Sequence, residues 1–180
     1  MNLPNKLTLC RMLMVPFLVL FLLTGWGGGA NRVICLVLFC TASITDWFDG
    51  KIARNRNLVT DFGKFMDPLA DKLLVCSAMI CMIELDRLPA WVVIVIIARE
   101  FIISGYRLIA VEKGIVIAAN YWGKVKTTVQ MVMIILLILN LNDPFFRVLT
   151  TISVWLSLLL TIISLITYIL QNKTVISGKM

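Results

Sequence analysis

Six apolar runs divide the chain, and they constrain its fold more than any other feature. The runs cover residues 9–23, 33–44, 69–83, 91–109, 129–141 and 148–170. Several are shorter than the ~20 residues that cross the hydrocarbon core of a bilayer, but each continues through polar residues at one end. Since 60% of the residues are hydrophobic and 15% are charged, a soluble domain of this length would lack polar surface. The pattern predicts an all-α integral membrane protein, a bundle of six transmembrane helices.

The segments between the runs predict where the helices turn. Three of them contain the breakers glycine or proline and cover residues 25–31, 86–90 and 140–144. Residues 1–11 mix apolar side chains with polar ones, which predicts a short interfacial amino-terminal segment before the first membrane helix. No Pro/Gly/Ser-rich linker interrupts the sequence, so one domain over residues 1–180 is expected.

The distribution of lysine and arginine predicts the orientation of the bundle. Thirteen of the 17 lie at the two termini or in the loops after the second and fourth helices; the opposite loops hold Arg32, Arg87 and Arg147, and Arg99 is intramembrane. By the positive-inside rule, both termini face the cytoplasm. The net charge of +7 is scattered among the spans rather than gathered in one stripe, so nucleic acid is not an expected partner. Membrane lipids and phosphate-bearing substrates fit it better.

Four aspartates between the second and third runs carry the strongest chemical signal. If residues 34–54 are helical, Asp46 and Asp49 share one face, because residues three or four apart are neighbours on a helix. Asp67 and Asp71 are again four apart, and a turn through residues 55–60 would set the two helix ends side by side. Carboxylates grouped in this way suit hard divalent cations. The predicted metal ligands are Asp46, Asp49, Asp67 and Asp71.

Two other interpretations of these aspartates exist. Acidic residues at a helix end can simply be solvated, and an acidic site could also belong to a cation transporter. Transporters place such sites near the midplane between structural repeats, whereas here the acids lie at helix ends and no repeat is visible. The chain has no histidine and no Cys-x-x-Cys pair, which argues against zinc. A general base must therefore be a carboxylate, lysine or tyrosine, and Asp71, at the open end of the second pair, is the best candidate.

A second group of charged residues lies in the fourth and fifth runs. Arg99 and Glu100 lie about 15 Å into a helix that starts near residue 89, where charges are costly and are usually paired or functional. They form either a structural ion pair or part of a site. Arg107, Lys124 and Lys126 are predicted to rim a basic pocket beside the carboxylates. For the two lysines, the alternative is a role as anchors at the membrane surface.

The aspartates stand in a longer pattern, Asp-x-x-Asp-Gly-x-x-Ala-Arg followed by Gly-x-x-x-Asp-x-x-x-Asp. This pattern resembles the motif of the CDP-alcohol phosphotransferases, and no position departs from it. The flanking stretches at residues 4–11 and 99–127 resemble family members that use glycerol 3-phosphate as acceptor. The resemblance implies an enzyme of phospholipid biosynthesis that transfers the phosphatidyl group of CDP-diacylglycerol to glycerol 3-phosphate and releases CMP. Inositol phosphate or phosphatidylglycerol is the alternative acceptor.

The resemblance also implies roles for particular residues. Two divalent cations, Mg²⁺ or Mn²⁺, would lie between the four aspartates, with Asp71 as catalytic base. Arg54 would bind the phosphates of the CDP group, which suits a guanidinium. The residues implied in binding the CDP-lipid are Gly50, Ala53, Arg54, Gly63, Asn5 and Thr8. Those expected at the acceptor phosphate are Arg107, Lys124, Lys126 and Arg99. A homodimer in the bacterial cytoplasmic (inner) membrane, with its active site facing the cytoplasm, is expected on the same ground.

Overall fold

The structure is a computed structural model of the chain. It describes residues 3–55, 61–112 and 120–172. Within these ranges it describes all side chains except those of residues 3–6, 46–55, 61–65, 67–68 and 112. These residues form an all-helical protein, and the part of the chain that the structure describes contains no strand. The fold is therefore all-α, as predicted.

Six α-helices follow one another, with a short 3-10 turn at Gly28–Ala30 between the first two. They are α1 (Leu3–Thr24), α2 (Asn31–Asn55), α3 (Asp61–Glu84), α4 (Ala90–Glu112), α5 (Tyr121–Leu139) and α6 (Pro144–Gln171). Each apolar run of the sequence lies almost wholly in one of them. Four described segments are long and apolar enough to cross a membrane, which makes the chain a multi-pass membrane protein: Leu7–Thr24, Gly28–Thr45, Tyr121–Leu139 and Pro144–Gln171.

The three predicted turns between helices are confirmed, and local chemistry accounts for them. Between α1 and α2, Gly25, Gly27 and Gly28 all have positive φ, a conformation that a Cβ disfavours. Asn140 ends α5 in the left-handed region, and Asp143 begins α6 by accepting a hydrogen bond from the amide of Phe145 at 2.8 Å. Left-handed asparagine at a helix end and aspartate at an N-cap are both favoured by their short polar side chains.

The chain forms two compact units, Met1–Leu88 and Pro89–Met180, and the expected single domain stays a prediction. In the first unit, α1 packs against both α2 and α3. Its buried side chains are three and four residues apart, so they form one stripe along the helix. They are Thr8, Arg11, Val15, Leu18 and Leu22. Small buried residues of α3, among them Ala70 and Ala78, let this helix lie close to its neighbours.

One expectation for the first unit needs correction. The predicted interfacial segment is not a separate element, because α1 is continuous from Leu3 and its polar residues Thr8 and Arg11 are each only 1% exposed. They extend the buried stripe of the membrane helix instead of lying on a surface. Pro68 lies in α3, which begins seven residues earlier at Asp61. The proline therefore lies inside the helix, where it supplies no amide to the carbonyl four residues earlier.

In the second unit, α6 packs against both α4 and α5. The buried face of α6 is largely polar. Its hydroxyl-bearing residues are Ser153, Ser157, Thr161, Ser164 and Tyr168. The outer faces are apolar, with Ile94 66% and Trp155 56% exposed. A polar interior with an apolar exterior is the arrangement expected when lipid rather than water surrounds the helices.

Candidate functional site

The aspartate motif lies on two helices that pack together in the first unit. Asp46 and Asp49 fall in the last three turns of α2, and Asp67 and Asp71 fall in α3. The helical state of residues 34–54, on which the predicted shared face depends, is confirmed. The side chains of Asp46, Asp49 and Asp67 lie outside the described residues, as do those of the motif and its flank at Asn5, Gly50, Ala53, Arg54 and Gly63.

Asp71 is the described member of the four. Its side chain is half-buried, and it follows Ala70, which is fully buried. Asp71 therefore lies at the margin of the packed interior, where a carboxylate keeps partial access to solvent. It has an interaction partner.

The donor set fits a divalent cation on chemical grounds. All four predicted ligands are carboxylates, they stand on two contacting helices, and the chain has no histidine; such an oxygen-only set suits Mg²⁺ or Mn²⁺. Among the described side chains, no group of three potential ligands occurs. Three of the four aspartates fall outside that part of the structure.

A buried arginine links α1 to the helix that carries the first aspartates. The Arg11 Nε donates a hydrogen bond of 3.1 Å to the Ala42 carbonyl of α2, and both residues are essentially inaccessible. In an α-helix that carbonyl is also the acceptor for the amide of Asp46. Arg11 therefore fixes α1 against the turn of α2 that leads into the motif. The predicted CDP-lipid residue Thr8 lies one turn earlier on the same buried stripe.

The second unit brings together three charged residues, Arg99 and Glu100 of α4 and Lys126 of α5. Glu100 accepts a hydrogen bond of 3.2 Å from the Arg99 Nη1 and forms an ion pair with the Lys126 ammonium. Arg99 and Lys126 are 7% and 0% exposed. Lys126 is thus an interior residue of the second unit, joined to α4 through Glu100, rather than an exposed rim residue.

Two neighbours fix the position of the Arg99 guanidinium. Its Nε donates to the Ser164 hydroxyl of α6 at 3.1 Å. On α5, a Cβ added to Gly123 would lie 3.2 Å from the Arg99 Nη2, so the absence of a side chain there lets the guanidinium pass. Arg107 and Lys124, the other two predicted cations, are exposed.

The start of α5, which carries Lys126, is tied to α6. Asn120 caps the helix by accepting from the Trp122 amide, and its Nδ2 donates to the Thr167 hydroxyl at 3.1 Å. Lys126 follows one and a half turns later on the face that packs inward. The second unit therefore holds its buried cations with contacts from all three of its helices.

Sequence reasoning missed the connecting residues more than the charged ones. Arg11 was predicted only to be part of a polar interfacial segment. Its three-residue spacing from Thr8 nevertheless places it on the buried stripe of α1. Glu100 was seen as a partner for Arg99, but its contact with Lys126 joins two helices and has no local signal. No local pattern in the sequence indicated that Ser164 accepts a hydrogen bond from Arg99.

Comparison with known proteins identifies the protein family to which the chain belongs. The family profile of CDP-alcohol phosphatidyltransferase matches residues 1–163, and the chain belongs to this family. A CDP-diacylglycerol–glycerol-3-phosphate 3-phosphatidyltransferase of Bacillus subtilis is 42% identical over 184 residues, covering 95% of each chain. A probable phosphatidylglycerophosphate synthase of Mycobacterium tuberculosis is 43% identical over 98% of this chain and 84% of its own. A phosphatidyltransferase of Rickettsia typhi with the same name as the Bacillus protein is 38% identical over 96% and 98%.

Family membership decides between the two classes of function that the sequence left open. The chain is a transferase rather than a cation transporter.

Proposed function

We propose that this protein transfers the phosphatidyl group of CDP-diacylglycerol to glycerol 3-phosphate, giving phosphatidylglycerophosphate and CMP. The observation that carries this assignment is the similarity, over nearly the whole chain, to relatives named for that reaction. The complete aspartate motif and its position on two contacting helices support it. No observation favours inositol phosphate or phosphatidylglycerol as the acceptor.

In the reaction, a hydroxyl oxygen of glycerol 3-phosphate attacks the phosphorus that bears diacylglycerol. The bond from that phosphorus to the CMP oxygen breaks, and the hydroxyl proton is lost. We assign the proton to Asp71, because its half-buried carboxylate lies at the margin of the packed interior and a base must reach the attacking group. Arg54 holds the diphosphate, while Gly50, Ala53 and Gly63 leave room for the nucleotide. Asn5 and Thr8 contribute from α1.

Asp46, Asp49, Asp67 and Asp71 would hold two divalent cations, Mg²⁺ or Mn²⁺. When bound, these ions neutralise charge on the diphosphate and on the leaving CMP. The four aspartates lie on the adjacent helices α2 and α3, and this placement would determine where the cations bind. Arg11 supports this arrangement by joining α1 to α2 one turn before Asp46.

The acceptor phosphate is assigned to the cations of the second unit, Arg99, Arg107, Lys124 and Lys126. Two of them are exposed and two are buried around Glu100. A dianionic phosphate needs several cationic donors, and a guanidinium next to an ammonium supplies both planar and point-charge contacts. An uncharged acceptor would need none of them.

We further propose that all six helices cross the bacterial inner membrane, with both termini and the active site in the cytoplasm. Helices α3 and α4 have 24 and 23 residues, about 35 Å each, which exceeds the ~30 Å hydrocarbon core. Their charges distinguish them from the four clear spans. In α4, Arg99 and Glu100 are paired inside the protein, which lowers the cost of placing them in the membrane. A homodimer is proposed from the family resemblance.

The test is the acceptor preference of the purified protein. CDP-diacylglycerol is offered with labelled glycerol 3-phosphate, inositol phosphate or phosphatidylglycerol, each with and without Mg²⁺ or Mn²⁺. Only the glycerol 3-phosphate reaction should give a new labelled lipid product together with CMP, and it should require the cation. Turnover with another acceptor alone would move the protein to a different branch of its family.

A further inference from the structure

We propose that Arg11 is a positioning residue for the metal site, and that α1 sets the separation of the two helices whose aspartates would hold the cations. This inference deepens the proposed function and rests on its metal site. It makes the affinity for the cations depend on a helix that carries no predicted metal ligand. The alternative is that Arg11 only fastens α1 to its neighbour.

Helix α1 is the main contact of both helices that carry the aspartates. It packs against α2 and against α3, and within the described part of the chain these two contact each other less extensively than either contacts α1. Asp46 and Asp49 lie on α2, whereas Asp67 and Asp71 lie on α3. The distance between the two pairs of aspartates therefore depends on how each helix is seated on α1.

Arg11 gives α1 a directional contact with α2. Its Nε donates to the Ala42 carbonyl at 3.1 Å. A carbonyl oxygen has two lone pairs, so the same atom also accepts the helical bond from the amide of Asp46, roughly 6 Å further along the helix. A hydrogen bond from a charged donor is short and directional, whereas apolar contacts resist sliding and rotation less. Arg11 therefore fixes the turn of α2 that ends at Asp46.

The burial of Arg11 argues for a role beyond filling space. Arg11 and Ala42 are 1% and 0% exposed, and Arg11 lies in the candidate membrane span Leu7–Thr24. A charged side chain in such a place is costly and is commonly functional. An apolar side chain of similar length would fill the position without that cost. Arg11 also has an interaction besides the bond to Ala42.

The far end of the same stripe offers a matched control. Leu22 is 6% exposed and lies eleven residues after Arg11 on the buried stripe of α1, roughly 16 Å along the helix axis. Leu22→Ala should loosen the packing of α1 while leaving the bond beside the motif intact. A general loss of packing can thereby be distinguished from a loss of position.

Metal titration of the purified protein in detergent tests the proposal without any substrate. The melting temperature is recorded against Mn²⁺ concentration, since a bound ion stabilises the folded state, and the half-saturating concentration is compared between variants. Arg11→Met removes the donor and the charge. Arg11→Gln also removes the charge, but its amide nitrogen is as many bonds from Cα as the arginine Nε and can donate to the same carbonyl.

Arg11→Met should raise the half-saturating Mn²⁺ concentration about tenfold or more, the effect typical of residues that orient metal ligands, and its kcat should recover toward the wild-type value as Mn²⁺ is raised. Arg11→Gln should restore much of the affinity. Leu22→Ala should lower the melting temperature without metal and leave the half-saturating concentration within about twofold. If Arg11→Met does not fold, Arg11→Lys, which has a carbon at the position of Nε, takes its place in the comparison.

Several results would overturn the proposal. A folded Arg11→Met that titrates like wild type would make Arg11 only structural, and tighter binding of Mn²⁺ would make the guanidinium a competitor of the cations. An equal shift in Leu22→Ala would show that any loosening of α1 has this effect. A wild-type melting temperature that does not respond to Mn²⁺ would remove the metal site itself. Failure of the proposed acceptor would appear separately, in the assay with glycerol 3-phosphate.

Discussion

At the scale of single residues, the aspartates of the motif have different expected duties despite their identical chemistry. Asp71 lies half-buried at the margin of α3 packing, while Asp46 stands one turn beyond the carbonyl that Arg11 holds. A ligand contributes to binding the nucleotide as well as to the reaction, whereas a base contributes when the hydroxyl loses its proton. Substitution with asparagine separates these duties, because it removes the charge and changes the volume little.

Asp71→Asn should keep measurable affinity for CDP-diacylglycerol in Mg²⁺ or Mn²⁺ but lose most of its kcat, the signature of an interaction made in the transition state. Asp49→Asn should lose both. Metal-dependent nucleotide binding and turnover, measured on the two variants side by side, check this. Equal loss of binding would make Asp71 chiefly a metal ligand and leave the base unassigned.

Asp46→Asn and Asp67→Asn should each reduce turnover by roughly 100-fold or more, because each removes a formal charge from a residue predicted to bind the cations directly. Residues that only hydrogen-bond to metal ligands already affect metal affinity or activity by about 10- to 100-fold. The melting temperature should stay close to that of wild type. Activity of either variant at the wild-type level, with the same dependence on metal concentration, would contradict the assignment of two cations.

Arg107→Gln should raise KM for glycerol 3-phosphate much more than KM for CDP-diacylglycerol, since the exposed guanidinium is assigned to the acceptor phosphate. Arg147→Gln is the control: it removes an arginine that is also exposed, in the first turn of α6, outside the proposed site. Equal effects of Arg107→Gln on both substrates would show that the basic subsite is misplaced.

At the scale of helices and turns, sequence patterns with local causes predicted the structure well. Proline and glycine predicted the turns, and α2 continues through Arg54, which is the condition for Asp46 and Asp49 to share a face. The polar start of α1 could not be predicted in this way, because Thr8 and Arg11 become buried through packing against other helices. The Glu100–Lys126 ion pair likewise depends on how α4 meets α5, a tertiary contact that no local pattern in the sequence indicates.

The turn between α1 and α2 permits a controlled test of backbone conformation. Gly27 has φ of 116°, and a Cβ there would lie 3.0 Å from the Ile34 Cδ1. Gly27→Ala should destabilise the protein by about 1–3 kcal/mol through backbone strain. Gly29→Ala should leave the stability unchanged or raise it slightly, since its surroundings are open and alanine restricts the unfolded chain. Melting temperatures in detergent compare them, and equal values would contradict the strained turn.

At the scale of the whole molecule, the number of membrane crossings determines on which side each loop lies. Four described segments are clear candidates, whereas α3 and α4 are not among them and each carries some of the charged residues of the two proposed sites. If all six helices cross, the turn at Arg87 lies outside the cytoplasm. If only the four clear segments cross, this turn lies inside, while the turns near residues 28 and 142 lie outside in both cases.

Fusions of a reporter that is active only outside the cytoplasm, placed after residues 28, 87 and 142, should therefore all be active. A fusion after residue 180 should be inactive. An inactive fusion after residue 87, with active ones after 28 and 142, would exclude six crossings and require α3 and α4 to remain on the cytoplasmic side.

The acceptor used by the purified protein tests the central claim most directly. With CDP-diacylglycerol, labelled glycerol 3-phosphate and Mg²⁺ or Mn²⁺, the protein should form phosphatidylglycerophosphate and CMP in equal amounts, and a chelator should stop both. Formation of a lipid product from inositol phosphate or phosphatidylglycerol, with none from glycerol 3-phosphate under the same conditions, would contradict the claim.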